Sequence, residues 1–228
     1  TGGTAAFADK NAGTDKVVTL TGASLEGADS ANYRLTSVGS AMASITAKSV
    51  VPSIVAEDKI YDGTTTAILS KQTVSGVIAP DVVTLVVGAA TFADEDVGSW
   101  TVTASTLSLG GADAANYTLS APTTTDTANI TPLGITGSIT AENKIYDGTT
   151  AAAVTGRFLT GVVGEDDVTL TGGTAAFADR NVGTGKTVTL TGAALSGTDA
   201  GNYSLSSVST TTANITAKSV VPSIVADD

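Results

Sequence analysis

Acidic side chains supply most of the chemistry this chain could perform. Four short clusters punctuate the 228 residues: Glu57-Asp58, Asp94-Glu95-Asp96, Glu165-Asp166-Asp167 and Asp227-Asp228. Loop carboxylates are the ligands that Ca²⁺ takes, so Glu57, Asp58, Asp94, Asp96, Asp166 and Asp167 are the candidate calcium ligands. None of these stretches follows the twelve-residue calcium-loop pattern, and the competing reading is of solvated turns on an acidic protein. No other cofactor is expected. Lys59 with Asn116, and Lys144 with Asn202, have the residue types of an intramolecular Lys–Asn amide. That reaction needs a buried carboxylate and apolar surroundings to lower the lysine pKa, whereas lysine is usually left solvated. The chain has no His and no Cys. A nucleophile would have to be Ser with Lys, or one of a carboxylate pair, and nothing singles out such a pair. Every polar motif recurs along the chain, while active sites are usually single. The expectation is a protein that is not an enzyme.

Composition narrows the partners. Net charge is −11 with only 11 Lys plus Arg, and no basic cluster is present to neutralise phosphates, so nucleic acid is not an expected partner. No apolar run approaches the ~18 residues of a membrane-spanning helix, and membrane insertion is not expected. Aromatic residues make up 4% and charged residues 14%, so a core must come from Val, Ile, Leu and Ala, which suits strands. The chain opens in mid-pattern and reads as a window on something longer.

That pattern is a repeat of about 85 residues. Tyr61-Asp62-Gly63 returns as Tyr146-Asp147-Gly148, and Phe7, Phe92 and Phe177 keep the same spacing. A second motif, Gly-x-Asp-x-x-Asn-Tyr, holds Asp113, Asn116 and Tyr117, then Asp199, Asn202 and Tyr203, with Asp29, Asn32 and Tyr33 as the earliest copy. Residues 49–133 and 134–218 are read as two complete repeats. Residues 1–48 are the latter part of a preceding one, with an open core face, and 219–228 are the first strand of a following one.

The elements that carry these motifs are short alternating runs separated by turn residues, the signature of strands. In the second complete repeat, Val188 and Leu190 alternate with Thr187, Thr189 and Thr191. Asp-Gly supplies the turn at 147–148, glycine reaching positive φ without a Cβ clash. Runs at 168–170 and 175–177 predict two further strands. Seven strands in 85 residues predict an all-β fold of tandem immunoglobulin-like sandwiches arranged end to end. An Asp four residues before a Tyr, with Leu two after it, matches the tyrosine corner of such sandwiches. There the ring is buried and the hydroxyl bonds backbone a few residues upstream. Asp62, Asp147, Asp113 and Asp199 are expected to bond local backbone in their turns. Trp100, matched by Asp15 and Gly185 in the other copies, is a candidate for stacking on a sugar or for a half-buried loop position.

With Lys-Ile-Tyr-Asp-Gly-Thr-Thr and Gly-x-Asp-x-x-Asn-Tyr recurring in order, the chain resembles the YDG-type, MBG-like mostly-β repeats of large bacterial surface adhesins, including filamentous-haemagglutinin-like proteins. The resemblance implies an extracellular module in the stalk of a cell-surface or secreted protein, and no catalytic residues. Neighbouring repeats, other copies in a filament and surface polysaccharide are the expected partners. Two other readings remain open: a carbohydrate- or filament-binding module, and a fibre subunit that exchanges strands. Gly137 stands where Pro52 and Pro222 stand in the other copies, which leaves the local strand start unsettled.

Overall fold

The computed structural model describes residues 1–224 and is all-β, with three single 3₁₀ turns. It divides into two compact units. The first comprises Thr1–Glu57, Thr66–Ala93 and Thr101–Thr127; the second comprises Asp58–Thr65, Asp94–Trp100 and the chain from Ala128 onward. The Tyr-Asp-Gly segment at 61–63 and the loop 94–100 belong in sequence to the repeat at 49–133. They are built into the unit whose strands come mainly from the next repeat.

In the first unit, β1 (Thr4–Phe7), β2 (Gly13–Thr21) and β3 (Ala41–Ile45) form an antiparallel sheet in that order. β4 (Lys48–Ala56) is followed by β5 (Lys59–Ile60), which belongs to the second unit, and by β6 (Leu69–Ser75). β7 (Thr84–Phe92) and β8 (Gly98–Gly110) make a long hairpin, β9 (Tyr117–Leu119) follows, and β10 (Thr124–Thr131) lies beside β8; the first three residues of β8 and the last four of β10 fall in the second unit. β4 is the middle strand of a β6-β4-β9 sheet, antiparallel to β6 and parallel to β9. Val50 and Ile54 from β4, and Leu85, Phe92, Val102 and Ala104 from β7 and β8, are buried. Phe7, Leu20, Met42 and Tyr33 in the stretch 1–48 are exposed, Tyr33 at 72%.

In the second unit, β11 (Leu133–Ala141) lies between β13 (Val154–Thr160), antiparallel, and β16 (Tyr203–Ser209), parallel. The facing sheet runs β12 (Lys144–Ile145), β17 (Thr211–Thr216), β15 (Gly183–Ser196), β14 (Thr169–Phe177). Its core joins Ile139 of β11 to Leu170, Phe177, Val188, Leu190, Ala213 and Ile215 of the other sheet. Val188 and Leu190 are buried and Thr187, Thr189 and Thr191 are exposed, the period-two alternation of a strand with one wet face. β5 adds in parallel to the end of β10, Lys59 beside Ile130 and Ile60 beside Thr131, as β12 adds to β17.

Two details differ from the expected strands. The runs at 168–170 and 175–177 are a single strand, β14, because Gly172 and Gly173 take positive φ within the ladder without ending it. Position 137 lies in β11 just as Pro52 lies in β4, so the strand forms with either residue. What changes is the parallel neighbour. β16 pairs onward through Gly137 and Val208, whereas β9 pairs no further than Val50 and Leu119. Proline has no N–H to give to such a ladder.

Candidate functional site

The conspicuous polar arrangement in the second unit gathers on the carboxylate of Asp166. Tyr203 begins β16 directly after the 3₁₀ turn Ala200–Asn202, and its ring is 6% exposed. Its hydroxyl donates to Asp166 Oδ2 and accepts from the backbone N–H of Val163 at 3.0 Å. Tyr61, from the Tyr-Asp-Gly segment, is 5% exposed and donates to the same Oδ2 at 2.8 Å. The two rings meet edge to face, centroids 5.4 Å apart and planes at 73°. Burial, reinforced by the hydrogen bond to Asp166, pushes the Tyr61 phenol well above its ordinary value of 10.0. It therefore serves as a donor and not as an anion.

The rest of the Gly-x-Asp-x-x-Asn-Tyr motif completes the joint. Gly197 has φ +129, and a Cβ there would come within 2.0 Å of the Asp167 carbonyl oxygen, so only glycine permits the approach. Asp199 Oδ2 accepts from the Asp167 N–H at 2.7 Å. Asn202, 6% exposed, accepts from the Val97 N–H at 2.8 Å and donates to Asp96 Oδ1 at 2.8 Å. It thereby grips the loop 94–100. Each fixed letter of the motif either closes this corner or holds a segment from the preceding repeat.

The first unit has a counterpart at Asp81. Tyr117, 6% exposed, donates to Asp81 Oδ2 at 2.7 Å and accepts from the Ile78 N–H at 3.1 Å. Asp113 Oδ2 accepts from the Val82 N–H at 2.9 Å. Asn116 accepts from the Ala12 N–H at 2.7 Å and donates to Asn11 at 3.2 Å. Where Asp166 receives a second phenol, Asp81 receives Lys10 Nζ on its other oxygen at 2.6 Å. Lys10 first, and the Tyr117 hydroxyl second, hold the Asp81 carboxyl below its usual range.

The Tyr-Asp-Gly segments share one local fold. Asp62 Oδ1 accepts from the Thr64 N–H at 3.0 Å and from Lys59 Nζ at 2.7 Å, and Asp147 does the same with Thr149 and Lys144, both at 2.9 Å. Lys144 and the Thr149 N–H hold the Asp147 carboxyl down at about 2. Gly63 and Gly148 follow at φ +71 and +80, the expected turn. The difference is exposure, since Tyr146 is 37% exposed.

Several residues lie elsewhere than their sequence patterns predicted. The inward tyrosines at 117 and 203 are found, but their hydroxyls meet backbone 39 and 40 residues upstream and a side-chain carboxylate besides. Asp113 and Asp199 bond backbone 31 and 32 residues away, not within their own turns. Lys144 lies against Asp147 and Thr149 while Asn202 lies against Val97 and Asp96, so these two are not placed for an amide. Lys59 and Asn116 are likewise engaged with Asp62 and Thr64, and with Ala12, respectively. Among the candidate calcium ligands, Asp58 accepts from Asn129, Asp94 from the Asp96 N–H, Asp96 from Asn202, Asp166 from two phenols and Asp167 from Thr198. Glu57 is exposed, and Asp227-Asp228 lie outside the described residues. Among the described residues no three acidic side chains are grouped to hold a metal ion. Trp100 is half-buried, its Nε1 donating to the Asp96 carbonyl of its own loop at 2.6 Å. Asp81 was missed altogether, although it precedes Asp166 by one repeat length.

No curated relative and no solved structure matches the chain. A model of the YDG domain matches residues 1–41, 46–125 and 129–213. With most of its length matched, the chain belongs to the YDG domain family.

Proposed function

We propose that this chain is a structural spacer: tandem immunoglobulin-like repeats in the stalk of a bacterial extracellular adhesin or surface filament. Its product is distance and stiffness, and it catalyses no reaction. One observation carries the reading. The tyrosine of one repeat's Tyr-Asp-Gly and the tyrosine of the next repeat's corner share the carboxylate of Asp166. The recurring polar residues are thus engaged in fastening segments of successive repeats and are not displayed to a substrate. Hydrogen bonds to a carboxylate are stronger than neutral ones, and the two phenols that donate are themselves buried. A run of such fastenings resists bending better than a Gly/Ser linker, which behaves as a random coil.

Small-angle scattering on the fragment tests this reading. An elongated particle, little changed by salt, is the expected outcome. A compact globule, or a distribution of widely bent forms, would contradict it. A glycan array with the same fragment tests the competing carbohydrate-binding reading, and saturable binding to one glycan class would displace the spacer.

A further inference from the structure

Beside Asp81 and Tyr117 the first unit has a cavity of about 370 Å³ whose lining also includes Lys10, Ile45, Thr46, Ile78 and Asn116. Shifted by one repeat length, most of these positions become those around Asp166 and Tyr203, where Tyr61 is seated. We infer that the cavity is a receptor for a Lys-Ile-Tyr-Asp-Gly segment presented by another YDG repeat. The inference rests on reading the Tyr-Asp-Gly segment as a fastening.

Three features of the cavity match what Tyr61 uses. The first is the acceptor. Asp166 Oδ2 takes two phenols, and Asp81 presents the same oxygen to Tyr117 while Lys10 sits on Oδ1. The second is the edge. Lys59 and Ile60 pair with Ile130 and Thr131, and the Tyr61 N–H donates to the Thr131 carbonyl at 2.8 Å. Ile45, the last residue of β3, an outer strand of its sheet, and Thr46 just after it are the corresponding residues, and both line the cavity. An extended segment can add there by backbone hydrogen bonds. The third is the ring platform, since Tyr117 is oriented by Ile78 as Tyr203 is by Val163.

The arriving segment carries its own shape. Lys144 holds Asp147 at 2.9 Å and the Thr149 carbonyl at 2.8 Å, and Lys59 makes the same set with Asp62 and Thr64.

The test is a titration of the isotopically labelled chain with the peptide Glu-Asn-Lys-Ile-Tyr-Asp-Gly-Thr-Thr, followed by amide chemical shifts. Saturable shifts are expected at Ile78, Asp81, Tyr117 and Thr46. The same peptide with Phe for Tyr is expected to bind about tenfold more weakly, for loss of a phenol donated to a carboxylate. Asp81→Asn in the protein should weaken the Tyr peptide similarly and leave the Phe peptide unchanged. Absence of saturable shifts at millimolar peptide, equal binding of the two peptides, or shifts confined to other residues would each overturn the receptor. None of these outcomes bears on the scattering profile, so the receptor and the spacer can fail separately.

Discussion

Asp81 and Asp166 occupy the same position in successive repeats, and each accepts the hydroxyl of a tyrosine that opens a strand. Their second partners differ. Asp166 receives another buried phenol, whereas Asp81 receives a lysine whose side chain is 66% exposed. An exposed ion pair contributes little, because water screens it and two long side chains must be immobilised. A phenol held between a carboxylate and an aromatic edge loses little entropy and adds buried apolar area. The comparison teaches that the tyrosine corner is the constant part of the joint. Its strength is set by what the preceding repeat delivers to the spare lone pair.

Removing the carboxylates should therefore have unequal effects. Asp166→Ala leaves two phenols without an acceptor and should destabilise the second unit by about 3 kcal/mol, two hydrogen bonds to a charge being lost. Asp81→Ala should cost the first unit roughly 1.5 kcal/mol, since the Lys10 pair contributes little. Denaturant melts with a probe in each unit measure both, and equal losses would break the comparison.

The asparagines sharpen it. Asn202 is 6% exposed and holds two groups of the loop 94–100, so Asn202→Ala should cost about 2 kcal/mol, with Asn116→Ala costing about half as much. Tm values for the two variants give the ratio, and a larger loss at Asn116 would reverse the ranking.

Alkaline pH should separate the units next. Burial raises the phenol pKa of Tyr61, Tyr203 and Tyr117 above the ordinary 10.0. A raised folded-state pKa means stability that is complete below the unfolded value and lost as pH climbs past it. Both units should hold up to about pH 10, and the second, with two coupled phenols, should then fall more steeply. Tyr61→Phe should flatten that limb toward the slope of the first unit. A slope unaffected by the substitution would remove Tyr61 from the account.

The smallest expected effect concerns the hairpins. Gly192 sits at φ +71 within β15, while Thr106 occupies the corresponding position within β8 at φ +54, a conformation that β-branched residues resist. Thr106→Gly should stabilise the first unit by up to about 1 kcal/mol. Destabilisation would mean that Thr106 makes compensating contacts.

Much of this architecture is legible in the amino-acid order. The alternation of Thr with Val and Leu marks β15, and the Tyr-Asp-Gly turn and the buried tyrosines are local patterns with local causes. The joint is not local. Tyr61 and Asp166 are 105 residues apart, and nothing in either stretch names the other. Asp166 looked like one more acidic loop residue, and Asp113 and Asp199 looked like ordinary turn aspartates. Their partners depend on chain segments that only the tertiary fold brings together. One signal was available and passed over, namely that Asp81 and Asp166 keep the repeat spacing as faithfully as the tyrosines do.

A double-mutant cycle between Tyr61 and Asp166 tests the fastening most directly. Melting Tyr61→Phe, Asp166→Asn and the double variant should reveal a coupling of about 1–2 kcal/mol, the range expected for side chains in direct contact. Additive losses, with no coupling between the two sites, would contradict the claim that one repeat is fastened to the next through this carboxylate.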